Sequence, residues 1–261
     1  MITVVDYHKG NLQSVERGLA AQGAAVQVTD DAAVIARASA VVLPGVGAFG
    51  DAAATMARLG QMDAVREAVN RGAAFLGICL GMHLMFAEGE EGAPDGGPTP
   101  QGLGLIPGVV RRLPDHDADG AFYKIPHVGW NLVEWVKPES SRLLGSVSEV
   151  TASASDSPEG TRKRTAVRDE ALEGEDGVLA GTAASRVPAA SKSGGTEYFY
   201  FTHSYAAPES PATIGLTTHS VTFPSAVQAS DRVFGVQFHP EKSSDAGAQL
   251  LRNFVTLAKE S

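Results

Sequence analysis

A single cysteine stands in the 261 residues, and its setting is not that of a packing residue. Gly77-Ile-Cys79-Leu-Gly81 follows an apolar run from Ala73 to Ile78 and precedes a helical pattern. A nucleophile at a strand-to-helix bend needs glycines on either side for close backbone approach, as in the G-x-S-x-G elbow, here with sulfur for oxygen. A helix N-terminus at that point favours the thiolate, and the Leu80 N–H points where an oxyanion would form. Outside such a bend a lone cysteine is a small buried hydrophobe. The thiolate needs an acid/base partner. Of the seven histidines, His239 ends the run Val233–Phe238 and is followed by Pro240-Glu241. Residues i and i+2 of extended backbone project to one side, so Glu241 can orient the imidazole and stabilise its charged form. Cys79, His239 and Glu241 then supply nucleophile, acid/base and orienter for thiol acyl transfer. A second oxyanion donor is expected from Gly45, Val46 and Gly47, in a loop at the carboxyl end of a strand. The competing phosphate-loop reading lacks a G-x-G-x-x-G or Walker pattern. Without H-E-x-x-H or paired histidine spacing, neither a metal site nor a cofactor is called for.

These groups must be held by a scaffold, and the patterning describes one. Residues 2–5 are a short β-branched strand, and Asn11 stands at a helix N-cap before Leu12, Val15 and Leu19, with Gly23 ending the helix. Ala25–Thr29 reads as a strand, Asp31 caps a short helix to Arg37, and Ala40–Leu43 is a buried strand. Asp51–Leu59 and Met62–Arg71 read as helices, Ala73–Ile78 as a strand and Leu80–Ala87 as a helix. This βα alternation predicts an α/β fold with an open, mainly parallel sheet flanked by helices. The second half adds short strands, expected at Gly102–Leu113, Phe122–Ile125, Leu132–Val136, Glu197–Thr202, Ile214–His219, Ala226–Ala229 and Val233–Phe238. They read as antiparallel additions. A last helix, capped by Ser243 or Ser244, places Gly247, Leu251, Phe254 and Ala258 on one face to dock on the sheet.

Composition narrows the partners. A net charge of −9 repels phosphate, which argues against nucleic acid or an anionic membrane. One cysteine forms no internal disulfide, which fits a reducing, cytoplasmic setting. The N-terminus lacks the basic region of a signal peptide, and the apolar stretch Gly72–Ala87 is too short to span a bilayer. The chain reads as one domain over 1–261 interrupted by an insertion at 146–195. That stretch has no aromatic residue and carries eight acidic against six basic side chains. It buries too little apolar surface to offset ordering entropy of about 1–2 kcal/mol per residue, so disorder over most of its length is expected. Its Thr161-Arg-Lys-Arg164 cluster reads as a solvated run within a balanced segment rather than a nucleic-acid patch.

The motifs D-Y-H-K-G-N-L (6–12), L-P-G-V-G-A-F (43–49), G-I-C-L-G-M (77–82), K-I-P-H-V-G-W-N (124–131), Y-F-Y-F-T-H-S-Y (198–205) and G-V-Q-F-H-P-E-K-S-S (235–244) together resemble the class I (triad) glutamine amidotransferases. Within that family the chain more closely resembles the glutaminase subunits of imidazole glycerol phosphate synthases. The resemblance spans both ends of the chain and misses only the insertion. It implies that Cys79 attacks the carboxamide of glutamine, that Leu80 and the Val46–Gly47 peptide hold the oxyanion, and that His239 protonates departing ammonia. It further implies glutamine contacts from Glu91, Ser204 and Tyr205. One position departs from the family: His83 stands four residues after the cysteine, where glutamine is usual, and it reads equally as a substrate contact or a packing residue. The resemblance also implies a heterodimer with a (β/α)8-barrel cyclase subunit that receives the ammonia. Trp130 and Tyr200 would then lie near the transfer surface, with Asn11 and Lys242 at the contact.

Two other readings share these residues: a glutaminase subunit for another synthase, such as that of pyridoxal phosphate, and a non-catalytic binding module of the same fold. Replacing residues 146–195 by a short glycine linker is expected to leave thermal unfolding cooperative and its midpoint within a few degrees. Loss of cooperativity in that melt would make the insertion structural.

Overall fold

The computed structural model describes residues 1–94, 96–136, 141–144 and 195–260. The expected insertion therefore lies almost wholly outside the described residues. The first half is built as the βα rhythm predicts: β1 (Ile2–Val5), α1 (Leu12–Ala20), β2 (Val26–Thr29), α2 (Ala32–Arg37), β3 (Ala40–Leu43), α3 (Phe49–Arg58), α4 (Gln61–Asn70) and β4 (Ala74–Ile78). A single turn of helix, α5 (Leu80–His83), follows β4. The rest comprises β5 (Phe86–Gly89), β6 (Ile106–Arg112), β7 (His127–Trp135), β8 (Thr196–His203), β9 (Tyr205–Ala206), β10 (Thr213–Thr218), β11 (Thr222–Ser230), β12 (Val233–Val236) and the long α6 (Ser244–Lys259).

Nine strands form one sheet in the order β2-β1-β3-β4-β12-β11-β10-β7-β8. The run from β2 to β12 is parallel, and from β12 to β8 every neighbour is antiparallel. The expected α/β class with antiparallel additions is what the chain adopts. Strands β1, β3 and β4 are buried on both faces because successive side chains alternate between two cores. Val4, Val42 and Leu76 join Val15, Leu19, Leu251 and Phe254 of α1 and α6 on one face. Val5, Val41 and Phe75 join Ile35, Met56 and Val65 of α2, α3 and α4 on the other. Each such fully buried side chain contributes about 1.5–3 kcal/mol of transfer free energy. The docking face of α6 is as expected at Gly247, Leu251 and Phe254, while Ala258 is only partly buried.

Several local expectations are corrected. The helix expected over 80–87 stops after one turn. The carbonyls of Leu84, Met85 and Ala87 accept from Leu103, from Leu105 and Ile106, and from Gly102, so the chain enters a small sheet, β5-β6-β9, instead of a second helical turn. No strand forms over 122–125: Phe122 makes one bridge to His116, and the segment leads into the cis Ile125–Pro126 peptide. Asp31 caps α2 as expected, accepting from the Ala33 N–H at 2.8 Å. Asn11 occupies the N-cap of α1 but its side chain makes no cap bond, and neither does that of Ser243 before α6. The Ser243 hydroxyl instead donates to the His239 carbonyl at 2.6 Å and accepts from the Tyr200 N–H at 3.0 Å. No described helix is long and apolar enough to cross a membrane.

Candidate active site

The carboxyl ends of β3, β4 and β12 lie side by side, and the loops leaving them build one cleft. At the end of β4, Cys79 has φ 53° and ψ −109°, a conformation costly for any residue with a Cβ. The flanking glycines are required by contact. A Cβ on Gly81 would stand 1.7 Å from the Leu43 carbonyl oxygen, and one on Gly77 would stand 2.6 Å from the Gly81 carbonyl oxygen. The Cys79 N–H donates to Val236 of β12 at 2.7 Å, and its carbonyl accepts from Met82 and His83. Among the described residues the Leu80 N–H, first in the turn, donates to no backbone carbonyl. Because α5 is one turn long, its dipole is that of a few peptides. The sequence-based expectation of thiolate stabilisation by a full helix is reduced accordingly.

His239 and Glu241 meet as expected, with Nδ1 donating to Oε1 at 2.9 Å, both side chains being almost fully buried. The route differs from the i, i+2 projection of a strand. Pro240–Lys242 is a 3-10 turn that folds the carboxylate back beneath the ring. Among the described residues, His239 Nε2 has no hydrogen-bonded oxygen or nitrogen partner and is left for the sulfur. Burial alone would lower the imidazole pKa, but hydrogen bonding and charge from Cys79 and Glu241 outweigh it and raise it to about 9. The His239 N–H is held by the Tyr200 carbonyl at 2.9 Å.

The cleft encloses about 440 Å³, and its walls include Val46, Gly47, Cys79, Leu80, His83, Glu91, Ser204, Tyr205 and His239. Gly45 lies behind the wall, where a Cβ would strike Leu80 and the Tyr7 hydroxyl. Of the residues expected to supply a second oxyanion donor, Val46 has its N–H engaged: it donates to the Tyr7 hydroxyl at 3.2 Å. Burial pushes the Tyr7 phenol pKa well up, so it stays protonated. Glu91 accepts from the Phe49 N–H at 3.0 Å and so caps α3, whose own N-cap residue, Ala48, offers no side-chain bond. Burial raises the Glu91 pKa against the opposing effect of that N–H. His83 is 4% exposed, with Nε2 2.6 Å from Gln237 Oε1. Asn11, Trp130, Tyr200 and Lys242 are not cleft residues. Trp130 is 52% exposed on β7 and meets Tyr200 of β8 edge-to-face, with centroids 6.2 Å apart. Lys242 is exposed on the 3-10 turn, and Asn11 is exposed before α1.

The sequence patterns alone assign no role to Tyr7, Gln237, His203, Thr202 or Pro126, although each lies in one of the motifs. Gln237 stands two residues before His239, and the period of 2 continuing from β12 is the signal that could have found it. Among the described residues no group of three or more His, Cys, Asp or Glu could hold a metal ion.

The profile described as Glutamine amidotransferase class-I matches residues 3–258. The chain belongs to this family. The class I amidotransferase fold is also seen in a solved glutamine amidotransferase, with TM-score 0.61 and 16% identity over 99% of this chain and 100% of that one. A putative GMP synthase subunit from Thermoplasma acidophilum has TM-score 0.58 and 15% identity over 99% and 94%. At these identities the likeness is one of fold. Among amidotransferases of known name, the imidazole glycerol phosphate synthase subunit HisH of Symbiobacterium thermophilum is 40% identical over 97% of this chain and 92% of its own. That of Moorella thermoacetica is 36% identical over 99% and 95%.

The raised pKa of His239 carries a definite sign. A group whose folded pKa of about 9 exceeds its ordinary 6.5 adds stability that is fully present below pH 6.5 and lost as pH rises through 9. In a histidine-ring NMR titration, His239 is expected to stay protonated up to about pH 9, and Glu241→Gln is expected to lower that midpoint by about one unit or more. An unchanged midpoint in Glu241→Gln would remove Glu241 from the pair.

Proposed function

We propose that this chain is the glutamine-hydrolysing subunit of an imidazole glycerol phosphate synthase, acting in histidine biosynthesis and passing ammonia to a cyclase partner. The observation that carries this reading is the elbow at Cys79 facing the buried His239–Glu241 pair across one cleft. Likeness to HisH subunits over nearly the whole chain supports the substrate and the partner.

In this reading glutamine enters the cleft with its carboxamide carbon against Sγ and its polar ends toward Glu91, Ser204 and Tyr205. The thiolate adds to the carbonyl carbon, and the charge forming on oxygen is received by the Leu80 N–H. Imidazolium His239 gives its Nε2 proton to the amide nitrogen as the C–N bond breaks, releasing ammonia and leaving a thioester. His239, now neutral, takes a proton from water, whose oxygen attacks the thioester. Collapse of that adduct releases glutamate and restores the thiolate. Ammonia set free in bulk water at neutral pH would become ammonium and lose its nucleophilic lone pair, which is the chemical reason for a closely docked acceptor subunit. A (β/α)8-barrel cyclase docked on Asn11, Trp130, Tyr200 and Lys242 would lie on the far side of β8 and the 3-10 turn from glutamine.

Cys79→Ala or His239→Ala is expected to cut glutamine-dependent synthesis by the complex at least about a thousandfold, leaving synthesis from added ammonium salts intact. Loss of the ammonia-dependent reaction as well would refute the division of roles between two sites. The Val46 N–H becomes a second oxyanion donor only when it leaves the Tyr7 hydroxyl. Tyr7→Phe is therefore expected to raise glutamate release by the chain alone severalfold, with little further gain on adding the cyclase and its nucleotide ligand. A lower partner-free rate in a folded Tyr7→Phe variant would show that the hydroxyl supports the active loop instead.

A further inference from the structure

Beneath Cys79 lie two buried polar side chains that the proposed mechanism leaves without a task. Gln237 is fully buried, with its backbone N–H given to the Ser225 carbonyl at 2.9 Å. Its Nε2 lies 3.8 Å from Cys79 Sγ, and its Oε1 lies 2.6 Å from His83 Nε2. We infer that Gln237 is a positioning residue that presents an N–H to the Cys79 sulfur, and that His83 fixes its amide in that orientation. This rests on the reading of Cys79 as the nucleophile.

The direction of the amide follows from where the protons must go. Burial lowers the His83 pKa to about 4, so the ring is neutral and carries one proton. Two oxygens face it, those of Gln237 Oε1 and the Tyr205 backbone. The Tyr205 carbonyl is already supplied. Asn131 Oδ1 accepts from the Leu132 N–H at 2.8 Å, so its Nδ2 is the donor to His127 Nε2 at 3.1 Å. His127 is therefore protonated at Nδ1 and donates to His203 Nε2 at 3.0 Å. His203 in turn carries its proton on Nδ1 and donates to the Tyr205 carbonyl at 2.8 Å. The His83 proton is then assigned to Gln237 Oε1, which has no other donor among the described residues and would otherwise be a buried acceptor left unpaired. With Oε1 satisfied, the amide NH2 faces sulfur.

A buried N–H aimed at sulfur favours the thiolate over the thiol. The contribution matters here because the one-turn helix α5 supplies only a short dipole. The other titratable groups around the sulfur are His239 beyond β12, His203 of β8, Tyr7 beyond β1, and Glu91 and Tyr205 in the cleft wall. None is changed by the variants below. A glutamine at position 83 could make the same donation to Oε1, whereas an apolar side chain could not.

The test is the pH dependence of iodoacetamide alkylation of the full chain in complex with the cyclase, read by mass spectrometry at Cys79. With no other cysteine in the sequence, the adduct is unambiguous. Gln237→Met, close in shape, is expected to move the alkylation midpoint up by about one pH unit, slowing the reaction roughly tenfold below it. His83→Leu should move it the same way, His83→Gln should hold it at the wild-type value, and His83→Leu combined with Gln237→Met should add nothing. A folded Gln237→Met variant with the wild-type midpoint overturns the inference. Should that variant not fold, equal midpoints in His83→Leu and His83→Gln overturn it. If Cys79 of the unaltered complex resists both iodoacetamide and a glutamine-analogue alkylator, the nucleophile reading falls, and this inference with it. Alkylation with an unmoved midpoint defeats the inference alone.

Discussion

The site depends on a steric contact between two parallel strands. β3 and β4 run side by side, and the turn leaving β4 is pressed so closely on the end of β3 that nothing larger than hydrogen fits at Gly81. That approach bends the backbone at Cys79 into positive φ. The strain is local and is borne by the surrounding packing, since β4 is buried along its whole length between the two cores. In return the sulfur stands clear of the sheet edge with an unspent N–H beside it. The same bend places Cys79 against the end of β12, the strand that delivers Gln237 and His239. One close contact thus sets Cys79, the Leu80 N–H and His239 in a common frame.

The electrostatics follow from that frame. A buried imidazole would ordinarily be neutral, as His83, His127 and His203 are, their pKa values all lowered by burial. His239 goes the other way because a carboxylate lies on one ring nitrogen and the sulfur near the other. The cleft therefore holds one imidazolium among neutral rings. The neutral histidines serve by tautomer instead of charge, each passing its single proton to the next acceptor. In the reading proposed above, charge and positioning are thereby divided among the same few side chains.

The parallel half of the fold was legible in the sequence because its signals are local: β-branched runs, the Asp31 cap and glycines at the bends. The convergence of Cys79, His239 and Glu241 was legible because cysteine and H-P-E each sit at the end of a strand-like run. What escaped was set by distant partners. The segment 84–87 has a helical pattern, yet its carbonyls are taken by residues 102–106, and only the fold brings those together. The Val46 peptide looked free to turn toward the cleft because nothing in its neighbourhood reveals a hydroxyl 39 residues earlier in the chain. His83 could be read as ligand or packing, since its partner Gln237 is 154 positions away. Hydrogen bonds that span the chain leave no period to detect.

The antiparallel half is more than padding on a parallel core. β8 carries Tyr200 half-buried toward the Trp130 surface, yet its Tyr200 carbonyl holds the His239 N–H and its Thr202 carbonyl lies 3.8 Å from the sulfur. Ser243 ties the same strand to the His239 carbonyl through one hydroxyl. The outer aromatic surface and the imidazolium are therefore separated by a single layer of backbone. Close-packed interiors transmit displacement instead of absorbing it. A partner pressing on Trp130 and Tyr200 would bear directly on the backbone that aims His239 at Cys79. The edge position of β8 in the sheet makes this strand accessible to such a partner, whereas β4, which leads into Cys79, is locked at the centre.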